Sequence, residues 1–197
     1  SPNRAARNLR TRTSSLIGLR IGPVQEGTAN AAMDRFTHSL VGASERAGYH
    51  VLLFPGDDED PVSGYANLLR ATAVDAFVVT DTYLGNPQAR WLMEKGAPFV
   101  AFGRPWDQAA PRHPWVDVDG AAGAALATTH LLEQGHTRIA WLGWDSDSPI
   151  GEDRRSGWEQ TMREHGLDTE GLAARVEDAI DAAAHEAAAL LDEAAPT

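Results

Sequence analysis

The sequence predicts an α/β protein built on doubly wound parallel sheets. Three observations lead there. Short apolar runs recur along the chain, bounded by Gly, Pro or acidic residues. Stretches of helical period, amphipathic or alanine-rich, stand between them. The apolar runs are continuous rather than alternating, as strands covered by helices on both faces must be. Crossovers in such a sheet are right-handed. Ligands sit beyond the carboxyl ends of the strands, so the residues that leave each strand are the informative ones.

The elements follow in order. SLIGLRI (15–21) is a buried strand closed by Gly22-Pro23. Residues 30–47 form a helix, with Ala32, Phe36, Leu40, Val41 and Ala43 near helical spacing and Gly48 as its stop. YHVLLFP (49–55) is the second strand, and GDDEDP a loop. A helix over 61–73 leads to VDAFVVT (74–80), and a helix over 87–95 leads to APFVAFG (97–103). After the loop RPWDQAAPRHPW comes WVDVDG (115–120), then the apolar helix GAAGAALATTHLLEQG (120–135). RIAWLGW (138–144) is another buried strand. DRRSGWEQTMREHG (153–166) and the alanine-rich 182–193 complete the series as helices. Residues 167–181 receive no element. The chain is expected to be a fragment whose second lobe is incomplete, because a further strand should follow DEAAPT.

Composition narrows the function. The 197 residues contain no cysteine, which excludes disulfides, thiolate catalysis and thiolate metal sites. No apolar run approaches the ~18–20 residues of a membrane span, and the start lacks a signal-peptide apolar region. The expectation is a cytoplasmic protein with no membrane partner. The formal charge is −11, yet the first twenty residues hold five arginines and no acid. The remaining 12 basic and 28 acidic residues give the body −16 (17 − 5 basic against 28 acidic). The body should repel nucleic acid, and only the N-terminal tip should attract it. Lys95 is the single lysine beside sixteen arginines, so arginine counts alone carry little weight.

Catalytic and cofactor motifs are missing. There is no Gly-x-Ser-x-Gly, phosphate-binding Walker loop or zinc-protease pattern, and no enzyme or cofactor is expected. Gly120-Ala-Ala-Gly123 opens a helix after a strand but lacks the Gly-x-Gly turn, and reads as close helix–strand packing. His130 and His136 are six residues apart with the helix stop Gly135 between them, so no metal site is expected.

Six stretches, in order, resemble the lactose-repressor/galactose-repressor family of bacterial transcription regulators. They are PNRAARNLRTRTSSLIG (2–18), AGYHVLLF (47–54), VDAFVV (74–79), APFVAFGR (97–104), VDVDGAAGAALATTHLLEQGHTRIAWLG (116–143) and DRRSGW (153–158). The last carries the family's Arg-x-x-Gly-aromatic. The resemblance implies a two-lobe core like that of periplasmic sugar-binding proteins, with an effector cleft between the lobes. It implies residues 1–14 as a hinge to an absent DNA-reading domain, 15–134 as the N-terminal lobe, and 135–197 as the start of the second lobe. It also implies a homodimer on operator DNA.

The resemblance gives a role to the basic start. With Ser1 as cap and Pro2 at the first helical position, Arg4, Arg7 and Arg10 recur along one side, and Ala5, Ala6 and Leu9 lie on another. Nine or ten residues fall below the ~12–15 that an isolated helix needs. Such a segment orders on a partner. In the family, paired hinge helices wedge a leucine, here Leu9, into the minor groove, with Asn3, Ala6 and Arg10 as neighbouring contacts. The alternative is a solvated linker.

The effector candidates lie at strand exits and helix starts. Arg154 offers five donors in a rigid fork, suited to paired sugar hydroxyls or a carboxylate. Its alternative is a surface pair with Asp153 or Glu152. Asp119 either accepts from sugar hydroxyls or caps the helix behind it. Arg104 and Asp81 stand at two other strand exits. Trp144 and Trp106 either stack on a sugar or belong to the core. Ser146 and Ser148 follow Trp144, and Met33 and Asn30 lie at the first helix start. Three functions compete: a transcription regulator, read as a repressor, holding a small-molecule effector read as a carbohydrate; a sugar-binding protein for transport; and an enzyme on a doubly wound fold. The secretion signal that transport predicts is not seen, and no catalytic constellation supports the third.

Overall fold

The computed structural model describes residues 13–22, 31–57, 59–80, 82–106, 112–144, 148–177 and 179–197. They form two compact units, one ending at Asp117 and the other beginning at Val118.

The first unit alternates strand and helix as its apolar runs dictate. Its elements are β1 (Leu16–Ile21), α1 (Ala31–Arg46), β2 (His50–Pro55), α2 (Ser63–Arg70), β3 (Ala76–Val79), α3 (Pro87–Glu94), β4 (Phe99–Phe102) and β5 (Trp115–Val116). The five strands are parallel in the order β2-β1-β3-β4-β5. That order reverses between β1 and β3, which is the doubly wound arrangement.

Period-2 alternation places helices on both faces. Phe77, Val79 and Phe99 share a core with Tyr65, Leu68 and Leu69 of α2 and Trp91 and Leu92 of α3. Phe102, of opposite parity to Phe99, instead stacks on Phe36 of α1 with centroids 4.2 Å apart. Phe54, Tyr65 and Phe77 meet edge to face at 5.0–6.2 Å. Gly18 makes room for them: a Cβ there would lie 2.7 Å from the Phe77 ring.

The second unit contains α4 (Gly120–Glu133), β6 (Trp141–Trp144), α5 (Pro149–Glu164), β7 (Ala173–Val176) and α6 (Ile180–Ala194). β6 and β7 pair in parallel, Trp141 with Ala173 through Trp144 with Val176. Its core is Ile139, Trp158, Met162, Leu172 and Ala194, all buried. The Trp158 indole N–H donates to the Ile139 carbonyl at 3.1 Å, so the largest core side chain leaves no polar atom unsatisfied.

Helix α4 packs on α5, where Asp153 accepts from the Ala121 N–H and Gly157 lies against the Ala121 carbonyl. Two sequence expectations change. Helix α5 begins at Pro149, not at 153, because Pro149 takes the first helical turn and Ser148 caps it by accepting from the Gly151 N–H. The interval 167–181, given no element, contains β7. Its sequence AARV has little β-branched content, so its strand identity comes from pairing with β6 rather than from its own pattern.

Candidate functional site

The carboxyl ends of β6 and β7 open onto a cavity of about 370 Å³. Trp144 and Val176 end their strands as register partners and line it. Arg154 from the first turns of α5, Glu177 just after β7, and Ile180 and Ala183 of α6 complete the wall. The lining is mostly apolar and includes one arginine and one glutamate, the makeup of a small-molecule site.

Arg154 is placed by its surroundings. Its guanidinium carbon lies 5.4 Å from the centroid of the Trp144 ring, a cation–π contact. The two carboxylates that the sequence offered as surface partners have other bonds. Glu152 bonds Arg175 at 2.6 Å and also pairs with Arg155 at 3.7 Å. Asp153 Oδ2 accepts from the Ala121 N–H at 3.1 Å. Gly120 supplies clearance beside the arginine stem, since a Cβ there would sit 3.0 Å from Arg154 Cγ. Gly151 faces the Trp144 ring in the same way, at 3.3 Å.

The other candidates are distributed differently. Asp119 is the N-cap of α4; its Oδ1 accepts from the Ala122 N–H at 2.8 Å, and it does not line the cavity. With Asp153 on Ala121, two carboxylates satisfy the first free N–H groups of that helix and complement its dipole. Arg104, in the first unit, bonds Asp117 Oδ2 through Nε at 2.6 Å and lies 4.9 Å over the Trp106 ring. Met33 sits in the first turn of α1, also in the first unit. Asp81 and Ser146 fall outside the described residues, as do the hinge candidates Asn3, Ala6, Leu9 and Arg10. Among the candidates, then, the structure brings Arg154 and Trp144 together. It adds Glu177 and Ile180, which sequence reasoning missed because they follow the unrecognised β7. Among the described residues no group of three His, Asp or Glu side chains is placed to hold a metal, and no helix is long and apolar enough to cross a membrane.

The comparisons with known proteins decide the family. Residues 33–197 match the family described as periplasmic binding proteins and sugar binding domain of LacI family. The chain belongs to this family. A LacI-family relative, the HTH-type transcriptional regulator RafR of Escherichia coli, is 32% identical over 169 residues, covering 84% of this chain and 49% of its own length. The crystal structure of a LacI-family regulatory protein from Chloroflexus aggregans is 36% identical, with a TM-score of 0.75 over 84% of this chain and 59% of that one. The structure of the transcriptional regulator CelR in complex with cellobiose shares the fold, with a TM-score of 0.75 at 22% identity over 99% of this chain and 63% of that one. The chain spans about half the length of the curated relatives it matches. The α/β architecture read from the sequence is therefore that of a LacI-family core, like that of periplasmic binding proteins.

Proposed function

We propose that this chain is the effector-binding core of a cytoplasmic, homodimeric transcriptional repressor whose effector is a sugar held in the second unit. The carrying observation is the Arg154 guanidinium over the Trp144 indole at the carboxyl ends of two parallel strands. An indole with a forked donor over one face, in a cavity that Glu177 also lines, suits a ring with an apolar face and a rim of hydroxyls. RafR is named as a transcriptional regulator rather than an enzyme, and the CelR complex contains cellobiose; both support this reading.

DNA contact is assigned to the arginine-bearing start. Four arginines and no acid in the first fifteen residues precede a strongly acidic body. Through linkage, an effector that favours the weakly binding state lowers DNA affinity by the factor by which DNA lowers effector affinity, typically 1–3 kcal/mol in such systems. Transport of a solute is the competing reading, since the family's description also covers periplasmic binding proteins. The arginine run favours the regulator.

The test is a thermal-shift screen of mono- and disaccharides against the intact protein, repeated with Arg154→Ala. A sugar that raises Tm, with the shift abolished by the substitution, is the expected result. No responding sugar removes the carbohydrate assignment, and a shift that survives Arg154→Ala moves the site elsewhere.

A further inference from the structure

The first strand is held by an unusual grip just upstream of its ladder. β1 begins at Leu16, but the Asp75 side chain reaches two residues further back. Its Oδ1 accepts from the Ser14 N–H at 2.7 Å and from the Ser14 hydroxyl at 2.9 Å. Its Oδ2 accepts from the Ser15 N–H at 2.8 Å. The Asp75 N–H in turn donates to the Leu16 carbonyl at 2.8 Å, and the His50 N–H donates to the Ser15 carbonyl at 2.9 Å. The Ser14 hydroxyl also accepts from the Leu16 N–H at 3.1 Å. Three successive residues are thus held from the starts of β2 and β3.

The backbone at this point turns. Ser15 has φ of +55°, in the left-handed region that a serine occupies only when its surroundings enforce it. A strand needs no such turn to begin. Its effect is to fix the backbone direction at Ser15, the point where the chain enters β1. Residues 1–12, upstream of it, carry Arg4, Arg7, Arg10 and Arg12. A basic segment that arrives in a fixed direction loses less freedom on meeting a duplex than one on a free swivel.

We infer that Asp75 is a positioning residue: its carboxylate grips Ser14 and Ser15 and aims the arginine-bearing residues 1–12 at DNA. The inference rests on the proposed DNA contact of that segment. Asp75 itself touches no DNA. Its role is to hold the junction through which the segment leaves the core.

The experiment uses the intact protein and a duplex that it selects from a random pool, with affinity read by fluorescence anisotropy. Asp75→Asn keeps the side-chain shape but replaces one acceptor oxygen by a donor. It is expected to weaken DNA binding about tenfold, with sugar affinity unchanged. Inserting Gly-Gly between Arg12 and Thr13 leaves the grip intact and uncouples it from the segment. The insertion should weaken DNA binding equally, and Asp75→Asn should add nothing in its presence. A purely structural role would lower Tm and leave the affinity of the folded protein alone. Wild-type affinity in either variant, or losses that multiply, overturns the positioning role. If selection enriches no duplex, the DNA reading itself fails and the inference falls with it. A spin label at Arg12→Cys, clean because the chain has no native cysteine, reports the grip without DNA. It should become more mobile in Asp75→Asn, and equal mobility in both backgrounds counts against the proposal.

Discussion

Gly157 lies directly against Ala121: a Cβ built on the glycine would stand 2.1 Å from the Ala121 carbonyl oxygen. The contact joins α5 to α4. It lies one turn beyond Arg154 and beside the Asp153 bond to the Ala121 N–H. The Gly of the Arg-x-x-Gly-Trp stretch therefore brings two helix backbones together, while the Arg faces the cavity and the Trp fills the core. Helix propensity alone says that Gly→Ala inside a helix stabilises by roughly 1 kcal/mol. Here the sign reverses. Gly157→Ala must push the helices apart, and overpacking of this kind costs about 1–3 kcal/mol. Urea denaturation of the variant should show a lower midpoint. A midpoint equal to or above that of the wild type would show that the helices separate without cost.

The Asp75 carboxylate gives stability a pH dependence. Partial burial pushes its pKa up, but the hydrogen bonds from the Ser14 N–H, the Ser14 hydroxyl and the Ser15 N–H outweigh this and hold it below the ordinary aspartate value. A folded-state pKa below the unfolded one means that the unfolded chain takes up the proton first as pH falls. The contribution is complete above the ordinary aspartate pKa of about 4, and is lost as pH falls through that value towards the lower folded one. The Tm difference between wild type and Asp75→Asn should be constant from about pH 7 to pH 5 and shrink below that. A difference that widens on acidification would mean that Asp75 is not held as the carboxylate.

Much of this was legible in the sequence, and the exceptions have physical causes. Continuous apolar runs such as VDAFVVT and APFVAFG could be covered only by helices on both faces, which gave the parallel sheet. Arg154 and Trp144 were legible as a helix-start cation and a strand-exit aromatic. Glu177 and Ile180 were not, because AARV acquires strand character only through its pairing with β6. The packing partner of α4 was hidden for a related reason. An alanine-rich helix such as α4 carries no strong amphipathic stripe to say which neighbour it packs on. The partner was decided by the glycine at 157 on a helix thirty residues further on.

Asp119 offers a clean separation of two roles. Its Oδ1 caps α4 through the Ala122 N–H. Asn is as good an N-cap as Asp, whereas Ala costs about 1 kcal/mol. Asp119→Asn should leave both stability and sugar affinity unchanged, and Asp119→Ala should lower the denaturation midpoint alone. Calorimetric titration of both variants checks this. If Asp119→Asn weakens sugar binding while stability holds, the carboxylate contacts the effector as well as the helix.

The last prediction concerns charge at the N-terminus. Outside the first twenty residues the chain carries 12 basic and 28 acidic residues, so the body repels a duplex and attraction must come from the tip. Each arginine that neutralises a phosphate releases condensed counterions and contributes about −0.9 to the slope of log affinity against log salt. Replacing Arg4 and Arg7 by Gln should therefore flatten the slope by up to about 1.8. The loss of affinity should be similar on all sequences, because phosphate contacts position a protein without reading bases. Anisotropy titrations across a salt series, on a selected and a scrambled duplex, separate the outcomes. An unchanged slope would mean that these arginines meet no phosphate. A loss confined to the selected duplex would mean that they read bases instead.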